Sequence, residues 1–417
     1  MKYKSVKLGD VIEFNPKETL KKNDIAKKVP MDALKPFTRK IDYFEITEFK
    51  SGTKFKNNDT LMARITPCLE NGKTSFVDIL EENEVGFGST EYFVLRAVEE
   101  KILPKYLYYL SISMPLRNAV IKSMTGTSGR QRAQKEALLN FQVSLPSILE
   151  QKKILKLLDS IDSKIELNNQ IIDTLEEIAS TLFKRWFVDF EFPDENGNPY
   201  KSSGGKMIDS ELGEIPEGWK VDIFGAKMSF ISKGTTPTKK DLSLHNTEEM
   251  VSFLKVKDMP MKGLIKYNIL EKIPKIVHET KLKRSILKKG DVLLSIAGTI
   301  GRVNIVTENI SLNTNQAVSF IRFFQNKNVY YYMVLLKSDI YQQKLKEKIV
   351  HAVQPNLSLS EIKSLKIISP PEVLIDSFLK IISPIYFQII KLDKEANELE
   401  EIRDTLLPKL LSGEIEV

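Results

Sequence analysis

Two arginines and a glutamine close the segment Thr125-Gly126-Thr127-Ser128-Gly129-Arg130-Gln131-Arg132. Its glycines let backbone approach a ligand closely, and its Arg and Gln side chains offer paired donors of the kind that match base-pair edges in a major groove. The candidates in this segment are Thr127, Ser128, Arg130, Gln131 and Arg132. A second cationic run, residues 233–240, adds Lys233, Thr235, Thr236, Lys239 and Lys240, and the segment 351–356 adds Gln354 and Asn356. Arg64 and Lys73 flank one pair of strand turns and Arg302 another. Chemistry of this kind binds a polyanion, and phosphate contacts outnumber base contacts in such interfaces.

Motifs for bond-making chemistry are missing from the same sequence. Asn15-Pro16-Lys17 only begins like the tetrapeptide of adenine methylation. Gly298-Thr299-Ile300-Gly301-Arg302 is too short to cradle a phosphate and reads as a hairpin turn. Glu361-Ile362-Lys363 copies part of a nuclease triplet, a coincidence expected in a chain this rich in lysine. Cys68 is the single cysteine, so no intrachain disulfide and no cysteine-based metal site can form. His245, His278 and His351 lack ligand spacing. No catalytic residue, metal or cofactor is expected.

The candidates sit in basic surroundings. Residues 1–146 carry a net charge of +6 and 207–371 of +9, whereas 147–206 and 372–417 carry −3 and −5. Basic units suit a nucleic acid, whose phosphates dominate affinity. The start of the chain has no apolar core of a signal peptide. The apolar stretch 375–392 is interrupted by Asp376, Lys380 and Pro384, so no membrane span is expected and the expected location is the cytoplasm.

The elements that position these residues occur twice. Residues 154–187 overlie 378–411 without a gap, so that Leu175-Glu176-Glu177-Ile178 falls on Leu399-Glu400-Glu401-Ile402. A repeat of this size signifies two similar domains rather than a solenoid. Before the first repeated segment, strands are predicted over 60–65, 74–79 and within 85–96, followed by a helix over 104–120 opened by Pro104. Before the second, strands over 292–296 and 318–323 and a helix over 329–346 follow in the same order.

Within the repeated segments, steps of four and three residues place Ile154, Leu158, Ile161, Ile165, Asn168, Ile172, Leu175, Ala179, Leu182 and Trp186 on one stripe. The second stripe is Phe378, Ile382, Ile385, Ile389, Leu392, Ala396, Leu399, Arg403, Leu406 and Leu410. Such a seam predicts a coiled coil, each helix roughly 50 Å long at ~1.5 Å per residue. The fold class is therefore α+β: two similar mixed α/β domains joined by two long helices in an antiparallel coiled coil, related by a pseudo-two-fold axis. The predicted boundaries are 1–148 and 218–371 for the domains, 149–190 and 372–412 for the helices, 191–217 for a linker and 413–417 for a tail.

At the linker the sequence resembles a known family. Trp186-Phe187-Val188-Asp189-Phe190-Glu191-Phe192, followed by Ser210-Glu211-Leu212-Gly213-Glu214-Ile215-Pro216-Glu217-Gly218-Trp219, is similar to specificity subunits of type I restriction-modification enzymes. Gln142-Val143-Ser144-Leu145-Pro146 with Glu150-Gln151-Lys152-Lys153, and Val353-Gln354-Pro355-Asn356-Leu357, add to the resemblance, which covers nearly the whole chain. Glu372-Val373-Leu374-Ile375 departs from the pattern, and Arg403 interrupts the second seam.

The resemblance implies a non-catalytic DNA-recognition subunit. Each domain would read one half of a split, asymmetric site in double-stranded DNA, and the helices would act as a ruler. Two modification subunits would methylate adenine and motor-nuclease restriction subunits would cut. Because the helices are acidic, Glu176, Glu177, Glu400 and Glu401 are expected to face the modification subunits. Two other readings stay open at this point: a specificity subunit of a methylation-only complex, and a coiled-coil scaffold whose basic domains bind protein or RNA.

Overall fold

The computed structural model describes residues 3–127, 129–243, 249–350 and 356–417. They fall into two units, Met1–Ile165 with Glu398–Val417, and Glu166–Asn397.

In unit 1 the strands Ile12–Phe14, Tyr92–Ala97, Thr60–Ala63 and Thr74–Phe76 lie side by side in that order, all antiparallel. Successive strand residues point to opposite faces, and here both faces are covered. Tyr92 and Val94 join one buried cluster with Phe55 and Leu61, while Phe93 and Leu95 join another with Met62 and Leu107. A second sheet pairs Ile25–Val29 antiparallel with Glu45–Glu48 and parallel with Gly86–Gly88, with Thr53–Phe55 on its edge.

Unit 2 repeats the plan. Its first sheet orders Met228–Lys233, Val318–Phe323, Val292–Ser295 and Val303–Ile305. Its second pairs Met250–Leu254 antiparallel with Glu271–Pro274 and parallel with Leu312–Thr314. Each unit also contains a strand pair that closes its globular part just before a long helix, Lys4–Lys7 with Gln142–Leu145 and Lys220–Ile223 with Lys366–Ser369.

The repeat extends to single ion pairs. Arg96 donates through Nε and Nη2 to the fully buried Asp59 at 2.7 and 2.8 Å, and Asp59 also accepts the Lys56 N–H at 2.8 Å. Arg322 treats the buried Asp291 in the same way, at 2.7 and 2.8 Å, and Asp291 accepts the Lys288 N–H at 2.8 Å. A carboxylate so far from water is tolerable because a bidentate guanidinium and a backbone donor replace its hydration.

The structure corrects several predicted elements, among them the strand expected over 74–79, which ends at Phe76. The helix expected over 104–120 is two, Pro104–Ile112 and Met114–Lys122, separated by Ser113 in extended geometry. Pro115 lacks the N–H that would continue the ladder. The helix expected over 329–346 likewise divides into Val329–Lys337 and Asp339–Val350 at Ser338, where no proline follows. Both serines turn their hydroxyl onto the carbonyl three residues back, at 2.7 Å to Leu110 and to Leu335. The strand expected over 60–65 ends at Ala63, because Ile65 leaves the sheet to bridge Arg132.

The long helices are Ile148–Phe187 and Glu372–Ser412. In unit 1, Ile154 and Leu158 share a buried cluster with Leu407 and Leu410, and Arg403 pairs with Asp162 at 2.9 Å. In unit 2, Asn168 donates to Glu395 at 3.0 Å while Trp186 packs near Phe378, with ring centroids 5.8 Å apart. The helix segments of unit 2 therefore run antiparallel. The most apolar stretch of Glu372–Ser412 reaches a mean hydropathy of 1.6, enough by length and composition to cross a membrane. About a third of that stretch is buried, with Phe378, Ile382, Ile389 and Leu392 in the main cluster of unit 2.

The segment read as a linker packs into the main cluster of unit 2. Phe192 stacks on Tyr200 and Trp219 at centroid distances of 4.6 and 5.2 Å, and Phe190 meets Trp219 edge-on at 5.5 Å.

Candidate nucleic-acid interface

In unit 1 the segment from Thr125 to Arg132 is a tight hairpin. Thr125 and Arg132 exchange backbone hydrogen bonds at 3.1 and 2.9 Å, and Gly126 and Gly129 take φ of +128° and +79° at the turn. Side chains rarely adopt those angles, which explains the glycines. The hairpin is pinned to the end of the central sheet by the Thr66 N–H on the Gln131 carbonyl at 3.0 Å and the Ala133 N–H on the Arg64 carbonyl at 2.8 Å. Thr127 and Arg130 are exposed and Gln131 is half-buried. Ser128 lies outside the described residues.

Arg132 is exposed but not idle. Its Nε and Nη2 donate to the Glu91 carboxylate at 3.0 and 2.7 Å. Arg64 sits on the other side of the same carboxylate, 3.7 Å away, with its guanidinium 5.2 Å from the centre of the Phe93 ring. Three residues distant in sequence thus form one Arg–Glu–Arg group. Glu91 was not among the sequence candidates; a lone acid in Ser89-Thr90-Glu91-Tyr92 gives no periodic or motif signal.

In unit 2, Lys233 ends an edge strand, and Gly234 passes so close to the backbone of Thr314 that a Cβ there would clash with its carbonyl. Thr235 donates its N–H to the Thr314 carbonyl at 3.0 Å, and the Thr236 hydroxyl bonds the Gln316 amide oxygen. Lys239 and Lys240 open the short helix Lys239–Ser243 with both side chains exposed. Hydrogen bonds from Lys281 and Thr238 hold the neighbouring Asp241 carboxyl down at about 2. Asn356 is exposed and bridges Ala297, while Gln354 lies outside the described residues.

Three expected site residues have other tasks. The Lys73 ammonium donates to the Met31 carbonyl at 2.8 Å. Arg302, its counterpart, donates to the Val256 and Met259 carbonyls at 3.2 and 2.7 Å. Both cations tie a hairpin to a short 3-10 turn by donating to its backbone carbonyls. Glu176 accepts from Lys337 at 2.9 Å and from the Gly263 N–H at 3.1 Å, so its carboxylate is committed inside unit 2. Glu177 and Glu401 are exposed, and Glu400 is half-buried.

The fragments that imitated catalytic motifs are structural. Asn15 accepts the Val94 N–H at 2.8 Å. Glu361 and Ser358 exchange hydrogen bonds as the capping box of the short helix Leu359–Lys363. Among the described residues no group of His, Cys, Asp and Glu could hold a metal ion.

Residues 1–177 and 216–401 match the family model of the type I restriction modification DNA specificity domain. The chain is 29% identical over 329 residues to the type I restriction enzyme MjaIX specificity subunit of Methanocaldococcus jannaschii, covering 76% of this chain and 71% of that protein. It is 26% identical over 413 residues to the type I restriction enzyme HindI specificity subunit of Haemophilus influenzae, covering 86% and 87%. In fold it is similar to the crystal structure of a type I restriction-modification system S subunit from M. genitalium, with a TM-score of 0.52, 15% identity, and coverage of 99% and 96%.

Proposed function

The chain belongs to the type I restriction-modification DNA specificity family, and from that premise we propose that its two units each read one half of a split, asymmetric site in duplex DNA. It is a specificity subunit and not itself a catalyst; methylation and cleavage lie in partner subunits. The long helices pair antiparallel along their seams, hold the reading surfaces a fixed distance apart, and dock two modification subunits. Restriction subunits join that assembly in the cytoplasm.

One observation carries this reading. The two units share the strand order of their first sheets, buried Arg–Asp pairs and a backbone bridge beyond the sheet, yet differ in the side chains exposed there. Arg132 stands on the bridge to Ile65 and Asn356 on the corresponding bridge to Ala297. A repeated frame with unlike surface residues suits two different half-sites, since guanidinium and amide side chains favour different base edges.

The test is an exchange of residues 1–146 for the matching segment of a relative, with the methylated-adenine motif of the host genome as readout. One half of the motif should change and the other persist. A change in both halves would defeat the independence of the two units.

A further inference from the structure

The backbone supplies a residue-by-residue correspondence between the two candidate reading surfaces. In unit 1 the Arg64 N–H donates to the Glu91 carbonyl at 3.0 Å, the Ala133 N–H to the Arg64 carbonyl at 2.8 Å, and Ile65 bridges Arg132. In unit 2 the Ile296 N–H donates to the Ala317 carbonyl at 2.8 Å, the Leu357 N–H to the Ile296 carbonyl at 2.9 Å, and Ala297 bridges Asn356. Arg64, Glu91 and Arg132 therefore occupy the places of Ile296, Ala317 and Asn356. The frame does not need the charges, because the uncharged set keeps the same hydrogen bonds.

Stability does not account for them either. The side chains of Arg132, Arg64 and Glu91 are 44%, 33% and 22% exposed, and ion pairs in such surroundings contribute little to folding. An acid on a surface that meets phosphates also weakens non-specific binding. Something must offset that penalty, and the geometry indicates what. Glu91 occupies the Nε and Nη2 hydrogens of Arg132. Guanidinium carries five N–H donors in a rigid fork, so the end formed by Nη1 and the second Nη2 hydrogen is left to a ligand. That end-on pair matches O6 and N7 of guanine.

We propose that Glu91 is a positioning residue that locks Arg132 end-on, with Arg64 flanking it, so that unit 1 reads a guanine at this point of its half-site. The inference rests on the DNA-reading function proposed above. Unit 2 lacks the lock: Asn356 carries an amide and Ala317 no charge.

The experiment uses the full chain assembled with its modification subunits, as wild type, Glu91→Gln, Arg132→Ala and Arg132→Lys. The readouts are the methylated-adenine motif in cells, and binding to duplexes randomised in each half-site across a salt series. Glu91→Gln should lower discrimination at one guanine of the first half-site by about tenfold or more, the loss expected when a bidentate contact is weakened. Binding to unrelated duplexes should rise, since a negative charge has gone. Arg132→Ala should relax the same base pair and Arg132→Lys should not restore it, because an ammonium has no fork. The second half-site and the melting temperature should stay unchanged.

If Glu91→Gln raises affinity for every duplex equally and leaves the motif intact, Glu91 only trims surface charge and the proposal is wrong. If Arg132→Ala leaves the motif intact while the complex still binds its site, the hairpin does not read DNA and the proposal falls with it. If the wild-type complex shows no sequence-selective, salt-dependent binding at all, the DNA-reading function itself fails.

Discussion

Arg403 donates through Nη1 to Asp162 at 2.9 Å inside unit 1, with both side chains almost wholly buried. In sequence Arg403 breaks an apolar seam; in the structure it completes a pair. The second oxygen of Asp162 accepts the Tyr109 hydroxyl at 2.7 Å, so a strand-packed helix and both long helices meet at one carboxylate. Burial disfavours the Arg403 charge, but the neighbouring Asp162 and Asp404 outweigh it and raise the guanidinium's hold on its proton.

Removing one partner of such a pair leaves an uncompensated charge. Arg403→Ala should destabilise unit 1 by about 3–5 kcal/mol, whereas Arg403→Met combined with Asp162→Asn should cost clearly less. Denaturant unfolding of the double variant, of Arg403→Met and of Asp162→Asn completes a double-mutant cycle. A loss below about 1 kcal/mol for Arg403→Ala, the range of exposed pairs, would show that water reaches the pair in solution.

A second prediction concerns pH. His278 is buried in unit 2 with its Nδ1 3.2 Å from the Asn313 amide nitrogen, and burial, reinforced by Lys275, pulls its pKa below the ordinary 6.5 against the opposing pull of Glu279. The unfolded chain then binds more protons than the folded one just below pH 6.5. The contribution of His278 is fully present above that value and is lost as pH falls towards the folded pKa. Both tryptophans, Trp186 and Trp219, lie in unit 2 and report its unfolding by fluorescence. Between pH 7.5 and 5.5 the midpoint should drop for the wild type and drop less for His278→Gln. Equal slopes for both would assign the acid sensitivity elsewhere.

These two sites show what sequence could and could not disclose. The seam positions from Ile154 to Trp186 are each buried or half-buried, because a 3.5-residue spacing is a local property that any reader of the chain can count. That residues 125–132 form a loop was legible from the glycines, but the pairing of Thr125 with Arg132 that closes it was not. Glu91 was not, since its partners stand 27 and 41 residues away and only the sheet brings them together. Lys73 and Arg302 looked like free cations because their acceptors are backbone carbonyls, which carry no mark in a sequence. Pro115 stands beside the break at Ser113, whereas no proline or glycine marks the same geometry at Ser338, and neither break was read from the sequence.

The exposed acids on the helices give a third prediction. Glu177 and Glu401 occupy equivalent places in the two repeats, each followed by an isoleucine about half exposed, Ile178 at 46% and Ile402 at 47%. Glu177→Lys with Glu401→Lys should weaken assembly with modification subunits at temperatures where the variant chain is still folded. Glu176→Lys should instead lower the melting temperature, because it sets two cations, its own and Lys337, against each other. Intact complexes by mass with Glu177 and Glu401 both reversed would remove these acids from the docking surface.

The last prediction tests the helices as a ruler. One heptad inserted into each helix preserves the seam, since seven residues make close to two turns. The helices lengthen by roughly 10 Å at ~1.5 Å per residue, which along DNA at ~3.4 Å per base pair is about three base pairs. Three base pairs also rotate the second half-site by roughly 100°, at about 10.5 per turn. Twisting of the DNA or of the partner subunits must absorb that rotation. The expected result is therefore a spacer longer by about three base pairs between the same two half-sites, or loss of binding. The half-sites themselves should not change, because neither reading surface has been altered. Binding retained at the original spacer would mean that the distance between half-sites is set by something other than the helices.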